Sequence, residues 1–240
     1  MLPLSDTLVL DLTQVIAGPT AGQILGDMGA DVIKVEPLNG EHFRPHFGGA
    51  WVPSMNRNKR GLAIDLRSEG GKDVLMRLVK KADVFMEAFT PGVIDKLGFG
   101  WDTVSKVNPQ AIYASISGFG SEGPERDRPA FDTVAQAASG FLRLLVNPEH
   151  PRVVGPAIAD AMTGFYTALG ILAALNERHE TGRGRVVETS MFEAMCHFNL
   201  DDFTHLLSAD QVMGPYSRPH VSQSYVFQCA DGKWLALHMS

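Results

Sequence analysis

Residues 8–36 read LVLDLTQVIAGPTAGQILGDMGADVIKVE, and this stretch decides the fold. Residues 8–12 predict a short apolar strand, and a turn at Ala17-Gly18-Pro19 opens a helix that runs to about Met28. Residues 31–36 predict a second apolar strand. A strand, a helix and a second strand in this order predict a parallel βαβ unit.

The same alternation continues through residue 190. Further strands are predicted at residues 61–66, 83–87, 111–116 and 186–190. Helices are predicted after Ser68, which suits an N-cap, at residues 91–96 and 101–107, and from Met191 onward. This order predicts an α/β fold, with a Rossmann-like parallel sheet that carries helices on both faces. Such a sheet binds ligands at the carboxyl ends of its strands.

The last part of the chain predicts a different unit. Residues 225–228 and 233–237, joined through Ala230-Asp231-Gly232, predict a β-hairpin. We therefore expect a large domain over residues 1–195, and a linker helix with the start of a smaller second domain over residues 196–240. The sequence stops soon after this hairpin, which predicts a truncated second domain.

Composition narrows the classes of function. The 240 residues are 45% hydrophobic and 20% charged, as in ordinary globular proteins, and the net charge of −6 argues against nucleic acid as the main partner. No basic start precedes an apolar N-terminal core, and we saw no run of about 18 uncharged apolar residues. These observations predict a cytoplasmic protein that does not enter membranes. Cys196 and Cys229 lack a C-x-x-C pattern and are expected to be reduced.

Common cofactor motifs are missing from the sequence. The first strand-to-helix turn, residues 13–19, has one glycine where a dinucleotide-binding G-x-G-x-x-G needs three. Neither a phosphate-binding G-x-x-x-x-G-K-[ST] nor a G-x-S-x-G nucleophile elbow occurs. His42 and His46 are four residues apart, but Pro45 disfavours a helical pair of metal ligands. We expect no metal.

Asp160 stands at the start of an apolar segment that predicts a buried helix over residues 161–175. As the N-cap of that helix, it would be held ionised at neutral pH by the helix dipole and the first-turn N–H groups. The same N–H groups would be able to stabilise negative charge on a reacting carbonyl. From the residues alone, Asp160 is either a plain cap or a catalytic acid.

A basic cluster, Arg57, Lys59, Arg60 and Arg67, brackets the third predicted strand. It is either a solvated loop or, with Lys96, a site for a polyanionic cofactor. Phe89 and Thr90 follow the fourth strand, where a bound nucleotide would meet the edge of the sheet.

Seven motifs in order together resemble the class III coenzyme A transferases, the family that includes formyl-CoA transferase, carnitine-CoA transferase and related acyl-CoA racemases. The motifs are Asp11-Leu12-Thr13 through Ala17-Gly18-Pro19, residues 29–36, Asn56-Arg57-Asn58-Lys59-Arg60, residues 87–92, Ser117-Gly118-Phe119-Gly120, Ala159-Asp160 with Thr163-Gly164, and Thr181-Gly182-Arg183-Gly184.

The resemblance implies an acyl-CoA:carboxylate CoA-transferase. Asp160 would be the nucleophile, acting through a mixed anhydride and an aspartyl-CoA thioester, with an acyl-CoA donor and a carboxylic acid acceptor. By the same analogy, the CoA contacts would be Ile16, Ala17, Lys59, Arg60, Arg67, Phe89, Thr90, Lys96 and Phe131. The family also implies an interlinked homodimer for a full-length protein, whose chain continues beyond this one. This chain would be either a fragment or a short form that relies on a partner.

Some positions depart from the family pattern. Ala88 and Thr90 stand where relatives often have asparagine and a basic residue, and Pro37 stands where some have arginine. The racemase branch has a histidine at the position of Phe131, and without that second base transfer is favoured over racemisation. The alternatives are a 2-methylacyl-CoA racemase or a fragment that binds CoA esters without turnover.

Overall fold

The computed structural model describes residues 1–218 and 222–239. Its main sheet has six strands in the order β3-β2-β1-β4-β5-β6, and every neighbouring pair is parallel. The strands are β1 (Leu8–Asp11), β2 (Asp31–Glu36), β3 (Lys59–Ala63), β4 (Val84–Glu87), β5 (Ile112–Ser117) and β6 (Val186–Ser190). This is the Rossmann strand order. Strands β1 to β3 are added toward one edge of the sheet and β4 to β6 toward the other, so the order switches between β1 and β4.

Ten α-helices lie within the described residues, together with a 3₁₀ turn at His46–Gly49. They are α1 (Ala17–Asp27), α2 (Trp51–Asn56), α3 (Glu69–Val79), α4 (Val93–Leu97), α5 (Trp101–Val107), α6 (Asp132–Ala138), α7 (Leu142–Leu145), α8 (Ile158–Thr181), α9 (Met191–Phe198) and α10 (Leu200–Ala209). The Ser68 hydroxyl accepts a hydrogen bond from the Gly71 N–H, so the predicted cap of α3 is confirmed.

Helices cover both faces of the sheet, as predicted. On one face, apolar side chains of β1, β2, β4 and β5 pack against α1 and α8, with Leu25 and Ile171 fully buried between them. On the other face, Leu75 of α3, Ile94 of α4 and Val104 of α5 pack over the same strands. Burial on both faces explains why these strands read as continuous apolar runs.

Helix α8 is the central helix of the first face. It is the one helix among the described residues that is long and apolar enough to span a membrane by length and composition, with a mean hydropathy of 1.5. Half of that apolar window is buried inside the protein, where Ala168, Ile171 and Leu175 belong to the core. Its apolar character is therefore used in packing against the sheet.

The predicted hairpin is present as β7 (Ser224–Gln228) and β8 (Trp234–His238), which pair in antiparallel fashion. Its large apolar side chains are exposed, including Val226 at 68% and Trp234 at 70%. The predicted domain boundary after residue 195 falls inside α9. Met191 and Met195 of this helix pack against Ala159 of α8.

The third strand was predicted two residues too late, at 61–66. Strand β3 begins at Lys59, which pairs with Val32 of β2. It ends at Ala63, which pairs with Glu36, the last residue of β2. The other strands of the main sheet lie within one residue of their predicted bounds. The helices α2, α6 and α7 were not predicted, and each is seven residues long or shorter. Helix α10 lies within residues 196–240, where a linker helix was predicted.

Candidate functional site

Asp160 lies in the first turn of α8, but it is not the N-cap. Ala157 is the N-cap, and Asp160 is the third residue of the helix, so the predicted cap role is wrong. Its side chain sits in a buried position, with the residue 8% exposed. Burial first, and then the nearby Asp132 carboxylate, raise the pKa of Asp160 to about 7. The expectation that the helix would keep it fully ionised at neutral pH is therefore also wrong.

The N-terminus of α8 is instead capped by Asp132, the first residue of α6. The Oδ1 atom of Asp132 accepts hydrogen bonds from the N–H groups of Ala159 at 2.8 Å and Asp160 at 3.3 Å. Its Oδ2 atom accepts from the Gln136 side chain at 2.5 Å. These first-turn N–H groups are thus already used, so they do not serve as the predicted oxyanion donors.

The two carboxyl groups therefore differ in their surroundings. Asp132 accepts three hydrogen bonds, whereas in the described part of the chain no hydrogen bond reaches the carboxyl oxygens of Asp160. A carboxylate without hydrogen-bond donors in a partly dry site keeps its lone pairs available, which suits a nucleophile. The pKa of about 7 means that a large share of Asp160 is ionised at neutral pH.

Helix α1 approaches α8 one turn beyond Asp160. A Cβ atom on Gly164 would lie 2.5 Å from the carbonyl oxygen of Ala17 and 2.7 Å from the Cβ atom of Thr20. Residues four apart share a helix face, so Asp160 and Gly164 point the same way, toward the first turn of α1. The structure thereby brings Asp160 to the part of the chain that holds Ile16, the N-cap of α1, and Ala17.

A cavity of about 580 Å³ opens at the carboxyl ends of β1 to β4, where this fold binds nucleotides. Arg67 and Phe89 line it, as the sequence suggested for cofactor contacts. Its other lining residues are Leu12, Gln14, Val35, Glu36, Pro37, Leu38, Asn39, Ile64, Asp65, Leu66, Val93 and Leu97. Arg67 forms no ion pair within the described residues, which leaves its guanidinium free for an anion.

Lys59 and Arg60, two of the predicted CoA contacts, do not line this cavity. The side chain of Lys59 is 1% exposed, and its ammonium donates to Asp11, to the Pro19 carbonyl and to Asn56 at 2.8 to 2.9 Å. With three oxygen partners, it has no donor left for a phosphate. Arg60 is paired with Asp31 at the start of β2, at the opposite end of the sheet from the cavity. The structure thus separates both cations from the 580 Å³ cavity.

The remaining predicted residues lie near the crevice or near Asp160. Thr90 and Phe89 line a second cavity of about 180 Å³ beside β4 and β5. Lys96 is exposed on α4, whose Val93 and Leu97 line the larger cavity. Phe131 is 68% exposed and precedes Asp132. The described residues contain no group of three or more metal-ligating side chains arranged to hold an ion.

Sequence reasoning missed Asp132 and Glu41. Asp132 is followed four residues later by Gln136, a pattern that indicates a helical hydrogen bond but not the contact with α8, 27 residues further on. Glu41 accepts a hydrogen bond from the Val15 N–H, which is 26 residues earlier. No local pattern in the sequence indicates the contact of Asp132 with α8 or that of Glu41 with Val15.

Comparison with known proteins gives a consistent result. The sequence model of the protein family named CoA-transferase family III matches residues 4–240. The chain is 37% identical over 98% of its length to the succinyl-CoA–L-malate CoA-transferase beta subunit of Chloroflexus aurantiacus. It is 40% identical over 81% of its length to the formyl-CoA:oxalate CoA-transferase of Streptomyces coelicolor.

Solved structures agree with the sequence comparisons. The crystal structure of a CAIB/BAIF family protein from Brucella suis superposes with a TM-score of 0.90 over 97% of this chain, at 33% identity. The chain spans 61%, 50% and 65% of the lengths of these three proteins, in the order given. The motifs, the sheet order and the matched length together place the chain in CoA-transferase family III.

Proposed function

We propose that the protein is an acyl-CoA:carboxylate CoA-transferase with Asp160 as its nucleophile. The single observation that carries this proposal is the buried Asp160 carboxyl, which lacks a hydrogen-bond donor among the described residues and lies one helical turn before Gly164, where α8 meets the first turn of α1. The residue-by-residue match of the family motifs, including Ala159-Asp160 with Thr163-Gly164, supports the same role.

The reaction proceeds in four exchanges at Asp160. An oxygen of its carboxylate attacks the thioester carbonyl of the donor, the C–S bond breaks, and CoA leaves as a thiolate beside a mixed anhydride. The thiolate then attacks the Asp160 carbonyl carbon, which releases the donor acid as a carboxylate and leaves an aspartyl-CoA thioester. The acceptor carboxylate attacks that thioester and expels the thiolate, which finally attacks the acceptor carbonyl. The product is the new acyl-CoA, and Asp160 is regenerated.

The cofactor would lie in the cavity beyond β1 to β4. The free guanidinium of Arg67 and the exposed ammonium of Lys96 suit the phosphate groups of CoA, since charged donors bind phosphate oxygens strongly. Phe89, half-buried at the mouth of the crevice, offers an apolar surface to the cofactor. From there the pantetheine arm would reach Asp160 past the turn that contains Ile16 and Ala17.

The names of the relatives suggest the class of substrates. They act on succinyl-, formyl- or acetyl-CoA and on small acids such as L-malate, oxalate and mesaconate. We therefore propose a short acyl-CoA donor and a small carboxylic acid acceptor. Incubation with a panel of such thioesters and free acids, followed by mass spectrometry of the CoA products, tests this. Failure of every donor–acceptor pair would contradict it.

Racemisation is the competing reaction. It needs a second base across the alpha carbon from Asp160, and Phe131 occupies the position where the racemase branch has a histidine. In D₂O, a 2-methylacyl-CoA should keep its alpha hydrogen while CoA moves to an added acid. Incorporation of deuterium at a catalytic rate would favour the racemase.

We also propose that the protein, at full length, forms an interlinked homodimer. Large apolar side chains are exposed on α8 at Phe165 and Leu169, and on α10 at Leu207, which is 84% exposed. Such surfaces are typical of interfaces. Light scattering of the full-length protein after size-exclusion chromatography should give twice the mass of one chain, and a monomer at micromolar concentration would contradict this.

A further inference from the structure

The turn between β1 and α1 has an unusual backbone. Val15 has a φ angle of 70°, a left-handed conformation that β-branched residues rarely adopt. In dinucleotide-binding relatives of this fold, glycines allow such turns, but here residues 12–17 contain none. A non-glycine residue stays in this conformation only when its surroundings impose it.

Glu41 supplies one of these constraints. Its Oε1 atom accepts a hydrogen bond from the Val15 N–H at 2.8 Å. Its Oε2 atom lies 3.5 Å from the ammonium of Lys34 and has no hydrogen-bond partner in the described part of the chain. Glu41 is 2% exposed, so this carboxylate is buried between one backbone N–H and one cation. Glu41 does not line the 580 Å³ cavity.

The other side of the turn is held by the same buried network. Lys34 donates to the Thr13 carbonyl and lies 3.8 Å from Asp11. Asp11 accepts from the Thr13 N–H at 3.0 Å and from Lys59, which also donates to the Pro19 carbonyl at 2.8 Å. Two acids and two lysines thus fix the backbone before, within and after the turn.

We propose that Glu41 is a positioning residue for CoA binding, and that it acts through its hydrogen bond to the Val15 N–H. The turn carries Gln14 into the cavity and sets the start of α1, whose Ala17 and Thr20 meet Gly164 of α8, one turn after Asp160. In this chain a buried ionic network does what glycines do in other nucleotide-binding turns. The inference rests on the proposed function, because it takes CoA as the ligand of the crevice.

Three variants test the proposal by calorimetric titration with CoA. Glu41→Ala should weaken CoA binding by about tenfold or more, since the turn loses its preorganised conformation. Glu41→Gln keeps an oxygen that accepts from the Val15 N–H, so it should lose clearly less affinity than Glu41→Ala. The double variant Val15→Gly/Glu41→Ala should recover most of the lost affinity, because glycine adopts a positive φ without support. If Glu41 only stabilised the fold as a whole, Val15→Gly would not restore the CoA affinity that Glu41→Ala loses.

Asp83 offers a matched control at the opposite end of the sheet. It also joins a backbone N–H to a cation, accepting from Leu8 at 2.8 Å and from Arg178 at 2.8 Å. Asp83→Ala should lower the melting temperature without changing CoA affinity. If Asp83→Ala weakens CoA binding as much as Glu41→Ala, the effect is general destabilisation and the proposal is wrong.

Amide hydrogen exchange separates this proposal from the proposed function. The Val15 amide should exchange slowly in the wild type and much faster in Glu41→Ala, whether or not CoA is present. If the wild type does not bind CoA at all, the proposed function fails, and the CoA-positioning role fails with it even where the exchange result holds. If the wild type binds CoA, the proposal alone is overturned by any of three results: unchanged affinity of Glu41→Ala, equal losses for the Gln and Ala variants, or no rescue by Val15→Gly.

Discussion

At the scale of single residues, Asp160 combines burial with a neighbouring negative charge. Its pKa of about 7 exceeds the ordinary 3.8, so the folded protein binds this proton more tightly than the unfolded chain. The stability that comes from the protonated form is therefore fully present below pH 3.8 and is lost as the pH rises through about 7. An ionised carboxylate that is buried and lies beside a second negative charge is a better nucleophile than a solvated one.

Asp160→Asn should abolish transfer and raise stability at high pH. The neutral amide avoids a buried charge, and a shift of this size corresponds to at most about 4 kcal/mol of unfolding free energy. Denaturant unfolding at pH 8 should show the variant as the more stable protein, and the difference should vanish near pH 4. A wild type that is equally stable or more stable at pH 8 would mean that the site does not raise the pKa.

Asp132→Asn should shift the pH dependence of transfer toward acid. Removal of the Asp132 charge lowers the pKa of Asp160, while the amide oxygen still accepts from the Ala159 N–H. The measurement is kcat/KM against pH, which should rise at a lower pH than in the wild type. Asp132→Ala also removes the cap and should cost about 1 kcal/mol of stability. An unchanged pH profile in the Asn variant would show that Asp132 does not raise the pKa of Asp160.

At the scale of elements, we expect the contact between α1 and α8 to position Asp160. Gly164→Ala would push α8 away from the Ala17 carbonyl and should cost about 1–3 kcal/mol, with a fall in kcat. Gly170→Ala on the same helix would place its Cβ atom 2.7 Å from a methyl group of Val187, away from α1, and serves as the control for crowding alone. Thermal unfolding and kinetics of both variants check this. Equal kcat values for the two would argue against precise placement by the α1–α8 contact.

The loop between β3 and α3 is expected to bind phosphate through Arg67. Arg67→Ala should weaken CoA binding by about 1–2 kcal/mol and reduce its salt dependence, because one charged contact is lost. Arg60→Ala, at the other end of β3, should change neither. Calorimetry at two salt concentrations measures both effects. The reverse pattern would place the phosphates at the amino ends of the strands.

Elements with strong local signals were predictable from the sequence. The strands of the main sheet and the Ser68 cap have continuous apolar runs and a standard capping residue, so their identity depends little on distant contacts. Short helices such as α6 and α7 have too few residues to be stable alone and depend on tertiary packing. That dependence is why they escaped prediction.

At the scale of the whole molecule, the site depends on contacts between segments far apart in sequence. The carboxyl of Asp132 meets α8, and Glu41 meets the turn at Val15. Such contacts leave no periodicity or spacing in the sequence. The sequence therefore indicated Asp160, but neither the capping of α8 by Asp132 nor the raised pKa of Asp160. The same reason explains Lys59, whose charge suggested a phosphate ligand but whose position is interior.

The central claim is that Asp160 carries CoA covalently, and mass spectrometry of the trapped enzyme tests it most directly. The protein is mixed with an acyl-CoA donor without acceptor, quenched in acid, digested and analysed. We expect the peptide that contains Asp160 to gain the mass of CoA less one water, and Asp160→Asn to show no such gain. Donor turnover with an added acid but without this adduct, or an adduct on another residue, would contradict the account.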